Sequence, residues 1–211
     1  MKLVLAALAA TLTCAAAASA AFGAAPPGVG ATASPGSPPV EAPVPAEVIA
    51  AHPDGRVLHP VRVEAVDPAT ARATMIRDGV LAPDAQPIAR RLAVASRSLA
   101  SGCWRAYYEY TDNSWLLGKA ETHIHPLWCG NGYWLTAIDN SWRWQTCTNL
   151  IACLGTAGPF LGAGCTTCDQ AWYTFKGYFS GLAYVAFHFI ENIAYAVYGN
   201  GQSWSYGWEE H

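Results

Sequence analysis

The chain has 211 residues, with 12 Lys and Arg against 15 Asp and Glu, 7 Cys, 14 Pro, and 9 Trp, 10 Tyr and 6 Phe. That length holds one domain of ordinary size with extensions, and a net charge of −3 supplies no basic face to neutralise a nucleic-acid backbone. The composition breaks at Cys103: every Trp, every Tyr and five of the six Phe follow it, while twelve of the 14 Pro precede it.

Residues 1–20 read as an export signal. Lys2 supplies the positive start, Leu3 to Leu12 the apolar stretch, and Ala18-Ser19-Ala20 a small-residue cleavage site. The stretch is too short and too Ala-rich for a membrane span. Leu12-Thr13 before Cys14 matches a lipidation box poorly. Removing the signal leaves six cysteines, an even number that points to disulfides in a secreted, extracellular protein. Residues 21–47 are mostly Ala, Pro and Gly and are expected to be a disordered linker.

Residues 48–101 carry aliphatic and charged side chains but no aromatic, and are expected to form a helical appendage or prosegment. Val57, Val61 and Val63 lie in a β-leaning stretch broken by Pro60. Asp67-Pro68 combines a helix N-cap with proline at the first helical position, which predicts a helix over 68–78 ending at Gly79. Ile88, Leu92, Ala95 and Leu99 share one face of a second helix over 87–100. Arg90-Arg91 reads as a solvated helix face, with a processing site as the alternative.

Residues 102–211 read as a disulfide-braced β domain. Trp104–Tyr110 runs to a turn at Asp112-Asn113-Ser114. Residues 119–128 enter, and Tyr133–Asp139 leaves, an Asn131-Gly132 hairpin predicted as type I′. Residues 150–169 read as a Gly-rich loop. Strands are expected at Trp172–Phe179, Leu182–Ile190 and Ile193–Tyr198, the last pairing with Gln202–Tyr206 around Gly199-Asn200-Gly201. Seven or eight short antiparallel strands with frequent turns predict a mainly β fold, a β-sandwich.

Cys103-Trp104, Leu127-Trp128-Cys129 before an Asn-Gly turn, Phe175–Phe179 and the closing Gly-Asn-Gly hairpin resemble the small secreted, disulfide-containing β-rich domains of actinobacteria. The likeness spans the aromatic-rich half of the chain. It implies export, disulfides and a sandwich-like fold, and no activity, because the functions of those domains are mostly unknown.

Cys103 and Cys129 begin one early strand and end another, so a bridge between them would tie neighbouring strands. The other four pair either as Cys147–Cys168 with Cys153–Cys165, or as Cys147–Cys153 with Cys165–Cys168. Zinc at Cys165-Thr166-Thr167-Cys168 is the alternative to disulfides there.

Only 15 Leu, Ile and Val and no Met accompany the 24 aromatics of this half, so most aromatics must serve as core. The surplus defines the candidate binding residues. Trp142 and Trp144 alternate onto one strand face, as do Trp204, Tyr206 and Trp208. Exposed rows there would offer platforms for a flat ligand such as a glycan; buried rows would be ordinary packing. Glu121, His123 and His125 share a strand face and are weak candidate metal ligands, read first as a solvated outer face. His188 reads as a packing residue, and Glu109 with Glu191 as a conceivable carboxylate pair. No nucleophile elbow, zinc-protease helix or phosphate loop occurs.

The expected function is therefore non-enzymatic recognition of a glycan or surface protein, with no cofactor, no nucleic acid and no stable membrane insertion. The alternatives are a metal-dependent or hydrolytic enzyme built on Glu121, His123 and His125, and a membrane-active protein inserting the hairpin around 178–198.

Overall fold

A computed structural model describes residues 40–88, 90, 101–112, 118–165, 167–181 and 187–211. The expected export signal, residues 21–39 of the expected linker and most of the 87–100 helix lie outside them. Twelve strands and two helices are assigned among the described residues. The strands form two six-stranded sheets in a sandwich-like arrangement, and the fold is mainly β.

In the first sheet the order is β1 (Val40–Glu41), β12 (Gln202–Glu210), β11 (Phe187–Tyr198), β10 (Gln170–Gly181) and β9 (Ile151–Gly164), with β2 (Arg56–Val57) also on β12. In the second it is β7 (Leu135–Asp139), β6 (Leu127–Gly130), β4 (Gly102–Asp112), β5 (Ala120–Ile124) and β8 (Arg143–Cys147), with β3 (Arg62–Val66) on β4. The pairing of β4 with β6 and β5 keeps one register from Gly102↔Gly130 to Asp112↔Ala120, so β5 and β6 act as one long strand interrupted at His125-Pro126. Pro126 has no N–H to give the ladder, but its carbonyl still accepts from Ala106 N at 3.2 Å.

Alternation along these strands sends Trp104, Tyr108, Trp128, Phe175, Ile193 and Tyr195 into one core between the sheets. Aromatics fill it, as the shortage of aliphatics requires. Polar bridges cross the same layer. The Tyr108 hydroxyl donates to Ser203 Oγ at 2.8 Å, and Trp128 Nε1–H donates to the Tyr198 carbonyl at 3.2 Å.

Several expectations are corrected. Residues 40–47 of the expected linker carry regular structure: Val40 and Glu41 pair in parallel with β12, and helix α1 (Ala46–Ala51) follows. Val44 before the helix and Val48 within it have an aromatic surface to cover, which a Pro- and Ala-rich composition does not disclose. Residues 48–101 are no mere appendage, since β2 joins one sheet and β3 the other. Helix α2 (Pro68–Arg77) forms as expected, with Asp67 Oδ2 accepting from Thr70 N at 3.0 Å and Gly79 at φ 76° beyond its end. The Gly-rich loop is the 14-residue strand β9, in which Gly158 and Gly162 fall at irregularities in its pairing with β10. The expected strands at 182–190 and 193–198 merge into β11 from residue 187, and 182–186 lie outside the described residues. The Asn131-Gly132 turn is not type I′: only Gly132 has positive φ (95°), and Asn131 Oδ1 accepts from Tyr133 N and Trp134 N in a longer loop.

The disulfides are Cys103–Cys129, Cys147–Cys153 and Cys165–Cys168. The first joins directly opposite residues of β4 and β6, with Cα atoms 4.0 Å apart. The last occupies the Cys-x-x-Cys sulfurs with each other, which removes the zinc reading. Cys14 lies outside the described residues.

Helix α2 packs Ala71 and Met75 onto Cys103, Leu127, Cys129 and Ala137, covering one end of the second sheet's outer face. Residues 42–48 cover much of the first sheet's outer face. Beside the footprint of α2, no described helix or strand covers the outer face of β4, β5 and β8.

Candidate binding face

Cross-strand register assembles this open face in rungs. Glu109, His123 and Trp144 stand opposite one another on β4, β5 and β8, and Thr111, Glu121 and Thr146 form the next rung. Arg62 stands opposite Tyr107, and Glu64 opposite Arg105. Alternation is the cause: the partners of these residues in each strand point inward, so the odd-numbered positions of β4 and β5 share the outer side.

The rings interlock. His123 lies flat against Trp144, with centroids 4.9 Å apart and planes 15° apart. His125 meets Trp144 edge-on at 4.4 Å and Tyr107 at 4.2 Å. The His123 imidazole is nearly buried beneath the indole. Its Nδ1 lies 3.3 Å from Glu109 Oε1, a distance suited to an ion pair although the groups are not aligned as a hydrogen bond, and its Nε2 is 3.3 Å from Thr146 Oγ1. Burial holds His125 down to about 4, reinforced by the charges of His123 and Arg105 against the pull of Glu64. At neutral pH His125 is therefore an uncharged packing partner for the rings.

Trp142 is fixed from a distant part of the chain. Its Nε1–H donates to Asp78 Oδ2 at 2.5 Å, and Arg77 and Arg105 lie 5.2 and 5.9 Å from its ring centre. The Arg77 guanidinium beside Asp78 holds that carboxyl at about 2, so it stays an acceptor across the physiological range. Trp142 and Trp144 are each 41% exposed and line an open groove of about 310 Å³ with Asp78, Ser141 and Arg143. Arg143 lies over the Phe175 ring, and the other cations on and around this face are in ion pairs: Arg77 with Asp78, Arg62 and Arg105 with Glu64, and Lys119 with Glu121. Such pairs present donors and acceptors side by side with little net field.

Trp142 and Trp144, anticipated as binding residues, thus meet Glu121, His123 and His125, anticipated as metal ligands, on one face. The metal reading gains nothing from the meeting. Glu121 is engaged by Lys119 and by the Thr111 hydroxyl at 3.3 Å, and both imidazoles are committed to Trp144. Among the described residues no three His, Cys, Asp or Glu side chains are grouped to hold an ion.

The second aromatic row is not a platform. Trp204, Tyr206 and Trp208 share a face as expected, but only 3%, 2% and 7% of their surfaces are exposed. Val48 packs on them with Ala194 and Ala196, His52 stacks on Trp208 at 3.8 Å, and the Tyr206 hydroxyl donates to the His52 carbonyl at 2.7 Å. Two further expectations fail: His188 is exposed, and Glu109 sits on the outer face while Glu191 lies buried among inward-facing residues, so they form no pair.

Sequence reasoning overlooked Tyr107, Arg105 and Asp78. The alternation of β4 contains the signal for the first two. Asp78 reaches Trp142 across 64 positions with no local signal. No family model, curated protein or solved structure matches this chain.

Proposed function

We propose that this is an extracellular, non-catalytic recognition module that binds carbohydrate on the outer face of β4, β5 and β8. The observation that carries the reading is the pair of half-exposed indoles at Trp142 and Trp144, held rigid from beneath and beside. Pyranose rings present C–H faces that stack on indole, and a preset ring loses little entropy on binding. Hydroxyls around the sugar rim need both donors and acceptors, which the Arg77–Asp78 and Arg105–Glu64 pairs provide. The three disulfides fit an extracellular environment.

The test is a panel of soluble and insoluble polysaccharides titrated against the oxidised protein and Trp144→Ala. One or more glycans should bind, and the substitution should weaken binding at least tenfold, about 1.4 kcal/mol, at a temperature where circular dichroism shows the variant fully folded. Equal binding by wild type and variant would reject the face. Absence of binding to every glycan would reject the ligand class.

A further inference from the structure

The end of helix α2 meets the turn between β7 and β8 through two carboxyl groups, and Trp142 hangs on one of them. Ile138 of β7 faces the core between the sheets, so Asp139 falls with Ala137 on the outer side, under α2. There it is fully buried. Its Oδ1 accepts from Ser141 N at 2.9 Å and from Ser141 Oγ at 2.6 Å, which shapes the turn leading to Trp142. Its Oδ2 is closed off from solvent and accepts no hydrogen bond. The neighbour it does meet is the carboxyl of Asp78, the residue that caps the end of α2. Asp78 is well supplied with donors: Arg77 Nε at 2.8 Å, Arg77 Nη2 at 3.2 Å and Trp142 Nε1 at 2.5 Å.

The surroundings assign the two carboxyls different states. A buried carboxylate oxygen without a donor is costly, whereas a protonated one becomes a donor itself. Arg77 keeps Asp78 ionised, so the proton belongs on Asp139, whose hydroxyl then donates to Asp78. Burial pushes the Asp139 carboxyl up against the two bonds from Ser141, and the hydrogen bond and charge of Asp78 add to the rise. We propose that Asp139 is a positioning residue of the carbohydrate face: the proton it shares with Asp78 ties α2 to the β7–β8 turn and holds the Trp142 indole in place. Losing that proton sets two carboxylates against each other with Arg77 as the cation beside both, and Trp142 loses its fixed acceptor. The other charged groups nearby have partners of their own. Arg105 pairs with Glu64, Arg143 lies over Phe175, and His123 and His125 pack on Trp144. The Tyr173 and Tyr195 phenols are pushed up by burial and stay neutral. The two carboxyls are in contact, too close for glycoside hydrolysis, which sets its pair roughly 5–9.5 Å apart. The effect on sugar binding rests on the carbohydrate reading above; the shared proton does not.

The experiment follows the indole N–H resonances of the isotope-labelled full chain, disulfides intact, from pH 4 to pH 8, with Trp142 assigned from Trp142→Phe. At the acid end the Trp142 signal should lie downfield and exchange slowly with water. It should shift and exchange faster as Asp139 ionises, above the ordinary carboxyl value of 3.8. Asp139→Asn keeps a donor for Asp78 and an acceptor for Ser141 at every pH, so its Trp142 signal should hold the acid-end position throughout. Glu191→Gln, at a buried carboxyl away from this turn, should leave the transition in place. A wild-type signal that does not move would overturn the inference. So would the same transition in Asp139→Asn, which would assign it to His123 or His125. The polysaccharide panel is then titrated at both ends of the range. A glycan bound at pH 4 should bind wild type about fivefold more weakly, or worse, at pH 8, and Asp139→Asn equally at both. Binding that ignores pH while the indole moves would remove Asp139 from the carbohydrate face. No binding at either pH would reject the carbohydrate reading, and the indole transition would still decide the shared proton.

Discussion

Glu191 is the most consequential single residue away from the proposed binding face. It is fully buried, and the Thr122 hydroxyl donates to its Oε2 at 2.6 Å across the sheets. Burial pushes its carboxyl up to about 8, with the charges of Asp112 and Glu209 adding to the rise. Glu209 is itself pushed up to about 7, chiefly by burial and then by Asp112, while Arg56 from β2 opposes the rise. Below the ordinary carboxyl value of 4.5 Glu191 is protonated folded and unfolded, and costs nothing. Above it the unfolded chain ionises while the folded one keeps its proton, so stability declines from there to about 8 and then levels. The loss is about 3–5 kcal/mol. Glu191→Gln keeps a neutral side chain of the same shape. Denaturant titrations at pH 5 and pH 9 should show a smaller difference for the variant, which should be the more stable protein at pH 9. An unchanged pH profile would remove Glu191 from this role.

At the level of elements, alternation was readable in the sequence and coverage was not. The alternation entering β8 puts Trp142, just before the strand, and Trp144 on one side as surely as that of β12 puts Trp204, Tyr206 and Trp208 on one side. What lies over each row is decided by segments far away in the chain, 64 positions for Trp142 and more than a hundred for the β12 row. Residues 42–52 close over the β12 row, and only the edge of α2 reaches Trp142. Strand β9 was hidden for another reason, since its glycines and Pro159 are turn residues that here accommodate bulges in an edge strand. The covering segment yields a prediction of its own. Val48→Asp buries an unpaired charge against Trp204 and Tyr206, and a change of this kind costs several kcal/mol. The variant should lower the melting temperature, and a red shift in indole emission should accompany local release of α1. If the melting temperature is unchanged, the segment is not part of the cooperative fold.

Taken whole, the molecule places the proposed binding face on the sheet that a disulfide holds most directly. Cys103–Cys129 joins facing residues of β4 and β6 and closes a loop of 26 residues, and β5 lies within that loop. Cys165–Cys168 closes only three. Restricting the unfolded chain stabilises more when the loop is longer, by about 3 kcal/mol for the first bridge and about 2 for the second. The Cys103→Ala/Cys129→Ala pair should therefore lower the denaturant midpoint more than Cys165→Ala/Cys168→Ala. The Cys103–Cys129 sulfurs pack under α2, so losing them also leaves Met75 and Leu127 around a void, which adds to the difference. The consequence reaches the binding face through the register: β4 supplies Tyr107 and Glu109, β5 supplies His123, and both hold Trp144 from beneath. Glycan affinity should fall with the first pair near its own midpoint and stay at the wild-type value with the second. Equal loss from both pairs would mean that the two sheets unfold as one unit with no local dependence on the cross-strand bridge.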